Sequence, residues 1–275
     1  MKNLKKLLAL VLAGAMALTF AACGAKTETE TAKTETETKT EQSDLEYIKE
    51  KGKLVIGITD FEPMDYKDAD GNWIGFDADM AKAFAKSLGV EAEFVEIEWS
   101  NKVLELNGKS IDCVWNGMTL TPEVTSAMDC TKAYCNNQQV VVVPVDKADS
   151  YKTAESCKEL SFAVEEGSAG EDMAKENSFN YTAVKDQATA VMEVASGTSD
   201  AAIIDSLMAA AMVGEGTGYE SLTYTVGLNS EEYGVGFRKG SDLTEKLNEF
   251  FEAAKANGEL EKTAEKYGVQ AALVK

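Results

Sequence analysis

From residue 53 onward, short, nearly continuous apolar runs alternate with segments whose apolar positions recur at helical spacing. Residues 53–58 (KLVIGI) form such a run and predict a buried strand. An Asp70-Gly71-Asn72 turn leads into Trp73-Ile74-Gly75-Phe76. Residues 77–88 then place Met80, Phe84 and Leu88 at i+4 spacing, with Gly89 as a stop, which predicts a helix. Residues 91–97 predict a strand, 102–106 a short helix and 111–115 another strand. Thr121-Pro122-Glu123 reads as an N-cap followed by Pro at the first helical position.

A β-branched run at 140–145 carries the chain out of this first unit, and a second unit repeats the logic. Its strand is 160–165, its tight turn Gly167-Ser168-Ala169-Gly170, and its first helix opens at 171–176. Residues 187–196 predict a helix, 200–205 a strand and 206–213 a helix. Residues 233–238 (YGVGFR) read as a returning strand. Ser241 is expected to cap a long helix through Ala256, with Leu243, Leu247, Phe250, Phe251 and Ala254 facing inward. A last helix, 259–267, turns Leu260, Ala264 and Tyr267 to the core. The fold class is α/β.

The first 43 residues have a different character. A basic start precedes an apolar run at 7–20, too short to span ~30 Å of hydrocarbon comfortably, so 1–22 reads as a secretory signal peptide. Ala21-Ala22-Cys23-Gly24 resembles the bacterial lipoprotein box, which implies a diacylated Cys23 and stable attachment to the membrane. Residues 23–43 then form a Thr-, Glu- and Lys-rich tether, expected to be disordered and about 25 Å from end to end. The remaining 232 residues suffice for one large domain or two small ones.

The net charge of −20 argues against nucleic acid as a partner. The chain contains no histidine, which excludes Ser-His-Asp and Cys-His catalysis and every histidine-containing metal site. Cys113, Cys130, Cys135 and Cys157 lack CxxC spacing and are open to either free thiols or a disulfide. There is no Walker A, dinucleotide fingerprint or GxSxG motif, so no enzymatic activity, metal or cofactor is implied. Asp68-Ala69-Asp70-Gly71-Asn72 faintly suggests a calcium loop. Trp73 at its sixth position, where that loop needs Gly, favours a hairpin turn.

Ligands of open α/β sheets bind beyond the carboxyl ends of the strands. Three such places stand out. Trp115-Asn116-Gly117-Met118-Thr119 lies between a strand and the Thr121 cap. Gly167-Ser168-Ala169-Gly170 offers backbone N–H groups at a helix start, a natural cradle for an anion. Asp205 ends a strand where a carboxylate can pair with an ammonium. Together they supply both halves needed for a zwitterion.

Six ordered stretches carry a family resemblance: FEPMDY at 61–66, DGNWIGFD at 70–77, GKSID at 108–112, MTLTPE at 118–123, SGTSD at 196–200 and YGVGFRKG at 233–240. With them, residues 53–268 resemble the polar amino-acid-binding proteins of ABC uptake systems, the bacterial extracellular solute-binding proteins of family 3. The resemblance implies a two-lobed, type II periplasmic-binding-protein-like fold, each lobe a mixed sheet with flanking helices, joined by two hinge strands. Lobe 1 would be 44–138 and 232–275, and lobe 2 139–231. It implies a monomer at the outer face of the bacterial cytoplasmic membrane that hands its ligand to an ABC permease and ATPase. Carried over by position, Phe61 and Trp99 would wall the ligand's side chain. Asn116, Gly117 and Thr119 would hydrogen-bond the ligand, with Asp205 as charge partner of its ammonium. Ser168 and Ala169 would meet its carboxylate through backbone N–H, and Glu165 would contact its side chain. One position departs: Val124 stands where the family places a carboxylate-gripping arginine. Either the carboxylate is held by the Ser168 helix N-terminus alone, or the ligand is an amine that is not an amino acid; because relatives with this fold include dehydratases, an enzyme of the same fold is a further alternative.

Overall fold

The computed structural model describes residues 42–275. The predicted signal peptide, Cys23 and the tether as far as Glu41 lie outside the described residues. Ser43, expected at the end of that tether, caps a first helix, Asp44–Lys51, its hydroxyl accepting from the Glu46 N–H.

One sheet orders strands Glu91–Glu96, Lys53–Ile58, Cys113–Thr119, Glu231–Phe237 and Asp129–Cys130, with Cys135–Asn137 also pairing to Glu231–Phe237. The first three are parallel, and Glu231–Phe237 runs antiparallel to Cys113–Thr119. A second sheet orders Asn180–Val184, Ser161–Glu165, Ala201–Asp205, Gln139–Pro144 and Leu222–Gly227. Here too three parallel strands are followed by antiparallel ones. Each sheet builds a lobe, and the chain passes between them at Gln138 and at 228–230.

The apolar runs form strands because both faces of each sheet are covered. Leu54, Ile56 and Ile58 pack with Phe84 and Phe251 on one face, while Val55 and Val114 meet Ile97 and Leu106 on the other. In the second lobe Val140, Val142 and Ile204 face one cluster, and Val141, Val143 and Ile203 the opposite one. Helix Gln187–Ser196 keeps its expected bounds, capped by Asp186 and stopped at Gly197 in the left-handed region.

Several local expectations are corrected. The helix after the Gly167 turn begins at Ala169, not Glu171, with Ser168 as its cap. The long helix is Leu243–Ala256, and Asp242 rather than Ser241 stands at its N-cap position. The Asp242 carboxylate is drawn away to the Leu45 N–H (3.0 Å), which ties the first helix to the last lobe-1 elements. Residues 68–72 form the turn of a hairpin, Tyr66–Lys67 against Trp73–Ile74, in which Asp68 accepts from the Asp70 and Asn72 N–H groups. Cys113, Cys130, Cys135 and Cys157 are free thiols, and all but Cys130 are buried. Among the described residues, no helix is long and apolar enough to cross a membrane.

Candidate ligand-binding site

The carboxyl ends of Lys53–Ile58 and Cys113–Thr119 in the first lobe converge with those of Ser161–Glu165 and Ala201–Asp205 in the second on one cavity of about 180 Å³. All nine residues singled out from the sequence line it. Phe61, Trp99, Asn116, Gly117 and Thr119 come from the first lobe, and Glu165, Ser168, Ala169 and Asp205 from the second.

The aromatic walls are fixed by their surroundings. Phe61 lies edge-on to Tyr233, with ring centroids 6.3 Å apart. A Cβ at Gly117 would stand 2.6 Å from the Phe61 ring, and Gly117 has φ +53°, so glycine is required there on two counts. Trp99 opens a 3₁₀ turn, Trp99–Asn101, with the Lys102 ammonium 4.8 Å from its ring centroid.

The polar groups differ in what they have free. The Asn116 carboxamide is fully occupied. Its oxygen accepts from Thr59 N and Oγ1, and its nitrogen donates to Thr59 O and Asp65 Oδ2. Its side chain therefore has nothing left for a ligand. The Gly117 N–H is held by Asp77 Oδ2 at 2.7 Å. Thr119 donates its hydroxyl to Glu231 at 3.0 Å, which leaves the oxygen able to accept. Ser168 spends its N–H on Glu165 O (3.2 Å) and its hydroxyl on the Glu171 N–H. The expected pair of anion-binding amides thus reduces to Ala169, at the first turn of helix Ala169–Glu176.

Asp205 stands at the start of helix Ser206–Met212 without capping it. Its carboxylate accepts from Asn137 Nδ2, Tyr233 OH and Gln187 Nε2 instead, three of roughly four acceptor sites. Burial, then the charge of Glu231, pushes Asp205 up to about 7. Glu165 is 2 % exposed, and its Oε1 has no hydrogen-bond partner among the described residues. Burial, followed by the charges of Asp205 and Asp186, raises it to about 8. Two buried acids with raised values thus face one cavity.

Val124 is buried at the cavity wall beside the Thr121 cap. The arginine of the chain, Arg238, is committed elsewhere: its fork grips Asp44, and Nη1 donates to Ile111 O at 2.9 Å. The cations lining the cavity are Lys102 and Lys175. Lys102 and Gln187 escaped the reading of the sequence. A lysine opening a short helix carries the usual signature of a solvated charge, and only the fold brings Gln187 onto Asp205.

Gly167 marks where the lobes meet. It has φ +73°, and a Cβ there would stand 2.8 Å from Ser100 Cα. Lys102 Nζ crosses at the same point to donate to Gly167 O at 2.9 Å.

The family model described as bacterial extracellular solute-binding proteins, family 3, matches residues 54–270. The arginine-binding extracellular protein ArtP of Bacillus subtilis (strain 168) is 29% identical over 271 residues, covering 96% of this chain and 98% of that protein. Among solved structures, the ancestral amino acid-binding protein AncCDT-1, a precursor of cyclohexadienyl dehydratase, superposes with a TM-score of 0.75 at 33% identity. It covers 82% of this chain and 99% of its own. An amino acid ABC transporter substrate-binding protein from Streptococcus pneumoniae Canada MDR_19A, bound to L-arginine, gives a TM-score of 0.76 at 27% identity, covering 85% of this chain and 100% of its own. The two-lobed fold, the cavity between the lobes and a family match across most of the chain agree: this protein belongs to the bacterial extracellular solute-binding proteins of family 3.

Proposed function

We propose that the chain is the lipid-anchored binding component of an ABC uptake system, capturing a cationic amino acid between a lobe of residues 44–137 with 231–275 and one of 139–227; the second lobe ends before the expected residue 231 because Glu231 already pairs in the first sheet. The acyl chains on Cys23 hold it at the outer face of the membrane, and the closed form delivers the ligand to the permease. The observation that carries the choice of a cation is the pair Glu165 and Asp205. Both are buried in the cavity, and one oxygen of Glu165 is without a partner among the described residues. Asp205 takes the α-ammonium in its remaining acceptor site, joined by Gly117 C=O and the Thr119 hydroxyl oxygen. Glu165 takes the distal positive charge, and Phe61 and Trp99 flank the side chain between them. The named specificity of ArtP for arginine and the L-arginine in the pneumococcal structure support the same reading.

Relatives named for binding support capture over turnover. Val124 favours a second reading, in which the ligand is an amine without a carboxylate. A thermal-shift screen of amino acids and polyamines tests both. A ligand at a hundred times its dissociation constant adds ~2.7 kcal/mol, or roughly 5–10 °C for a domain of this size. Cationic amino acids are expected to give that shift. A shift with acidic amino acids alone would overturn the assignment of Glu165, and one with polyamines alone would select the second reading.

A further inference from the structure

A zwitterionic ligand in this cavity presents a carboxylate, and the groups that receive its ammonium cannot also receive that. The cavity offers two cations. Lys175 is half exposed and already paired with Glu171 at 3.2 Å and Asp172 at 3.5 Å. Lys102 is the opposite case. It is 8 % exposed, and its ammonium donates to two carbonyl oxygens, Trp99 O at 3.2 Å and Gly167 O at 2.9 Å. Among the described residues it forms no salt bridge. A buried ammonium without an anion is costly, since carbonyl dipoles only partly replace its hydration. Burial accordingly pulls its pKa down, opposed first by the charge of Glu165. One of its three N–H groups remains uncommitted.

We propose that Lys102 binds the ligand's carboxylate, with the Ala169 N–H as second donor, and is the residue that makes the site select amino acids over simple amines. The inference deepens the function proposed above and rests on it. Gly167, which Lys102 reaches across the cleft, lies two residues before Ala169, so ammonium and amide approach the same end of the cavity. Val124 forms part of the wall there without contributing charge. The contact is a single charge-assisted hydrogen bond from a flexible stem, without the bidentate geometry of an arginine. It also couples recognition to closure, because the same ammonium holds the Gly167 carbonyl of the second lobe.

The test is titration calorimetry on the mature protein with paired probes: L-arginine and agmatine, L-histidine and histamine, L-lysine and cadaverine. Each pair differs by the carboxylate alone. The wild type is expected to prefer the amino acid of whichever pair it binds. K102M should weaken that amino acid on the order of tenfold to a hundredfold more than it weakens the paired amine, which loses only the Gly167 contact. K102R should restore part of the loss, with melting curves confirming that each variant is folded. Unchanged amino-acid affinity in K102M overturns the proposal, and so does equal weakening of both members of a pair, which marks a purely structural lysine. A wild type that binds amines as tightly as amino acids overturns it without recourse to any variant. A wild type that binds none of the six probes overturns the underlying function instead.

Discussion

On the proposed function, two buried acids in the cavity make capture of a cation an exchange of protons. Without ligand, Glu165 stands at about 8 and Asp205 at about 7, both raised chiefly by burial. A cation seated against them draws each back toward its ordinary value of 4.5 or 3.8. At pH 7 Glu165 is then about nine-tenths protonated before binding and Asp205 about half, so binding releases roughly 1 to 1.5 protons. The raised values belong to the enclosed arrangement, and for an unliganded protein resting in it affinity rises with pH through the window from 6 to 8. Over those two units the gain is about fiftyfold from Glu165 alone and about tenfold from Asp205, the two groups titrating as an interacting pair. Calorimetry with L-arginine in phosphate and in Tris at pH 7 separates the proton release from the intrinsic heat. A parallel series at pH 6, 7 and 8 gives the slope. Affinity that stays flat or falls over this range, with heats independent of buffer, would refute the assignment of these acids as the cation's partners.

Asp205→Ala is expected to abolish calorimetrically detectable binding of any amine ligand, and unaltered affinity would sink the ammonium assignment. Gly117→Ala forces a left-handed alanine and sets its Cβ against the Phe61 ring. It should cost about 1–2 kcal/mol of stability, read as a lower Tm, and weaken the ligand as well. Asp65 and Asp77 form a second buried acid pair, behind Asn116 and Gly117, each with one oxygen unpaired among the described residues. Burial raises both, Asp77 to about 7, so the stability they provide is present in mild acid and lost as pH rises through neutrality. The unliganded protein should therefore melt at a higher temperature at pH 5 than at pH 8. Asp65→Asn should shrink that difference, and a variant with the full wild-type difference would show that the pair does not produce it.

The parts legible in the sequence are those where one local pattern serves one physical purpose. Lys53–Ile58 and Ala201–Asp205 announced themselves because burial on both faces demands nearly unbroken apolar runs. Strands Asn180–Val184 and Leu222–Gly227 went unread because they lie at the edges of their sheet, the first wholly exposed or half-buried and the second mixing exposed with buried positions. Helix Asp44–Lys51 was equally quiet, burying Ile48 and little else. The site followed the same division. Its members at strand ends were visible, since strands that stop at Asp205 and Thr119 bring their last residues to the cavity. What each atom has free was not. Asn116 gives up its carboxamide to Thr59 and Asp65, residues more than fifty positions away in the chain. Lys102 meets Gly167 across a separation of 65 residues, which no local spacing encodes.

These long-range bonds bear on how closure depends on the ligand. Asp205 belongs to the second lobe, yet two of its three hydrogen bonds come from Tyr233 and Asn137, which belong to strands of the first sheet. Glu231, at the second crossing, accepts from Asn137, Gln139 and Thr119, tying both crossings to the cavity wall. The closed arrangement thus already has its own set of contacts between the lobes, including Lys102 to Gly167. What opposes it is electrostatic, namely acids crowded into a space that excludes water, which must take up protons to persist there. On the proposed function, a cation removes that opposition in addition to touching both lobes. By this argument the ligand's differential affinity for the closed state, the quantity that drives any such shift, arises mainly from relief of buried negative charge. An uncharged molecule of the same shape would fill the cavity and leave that opposition in place.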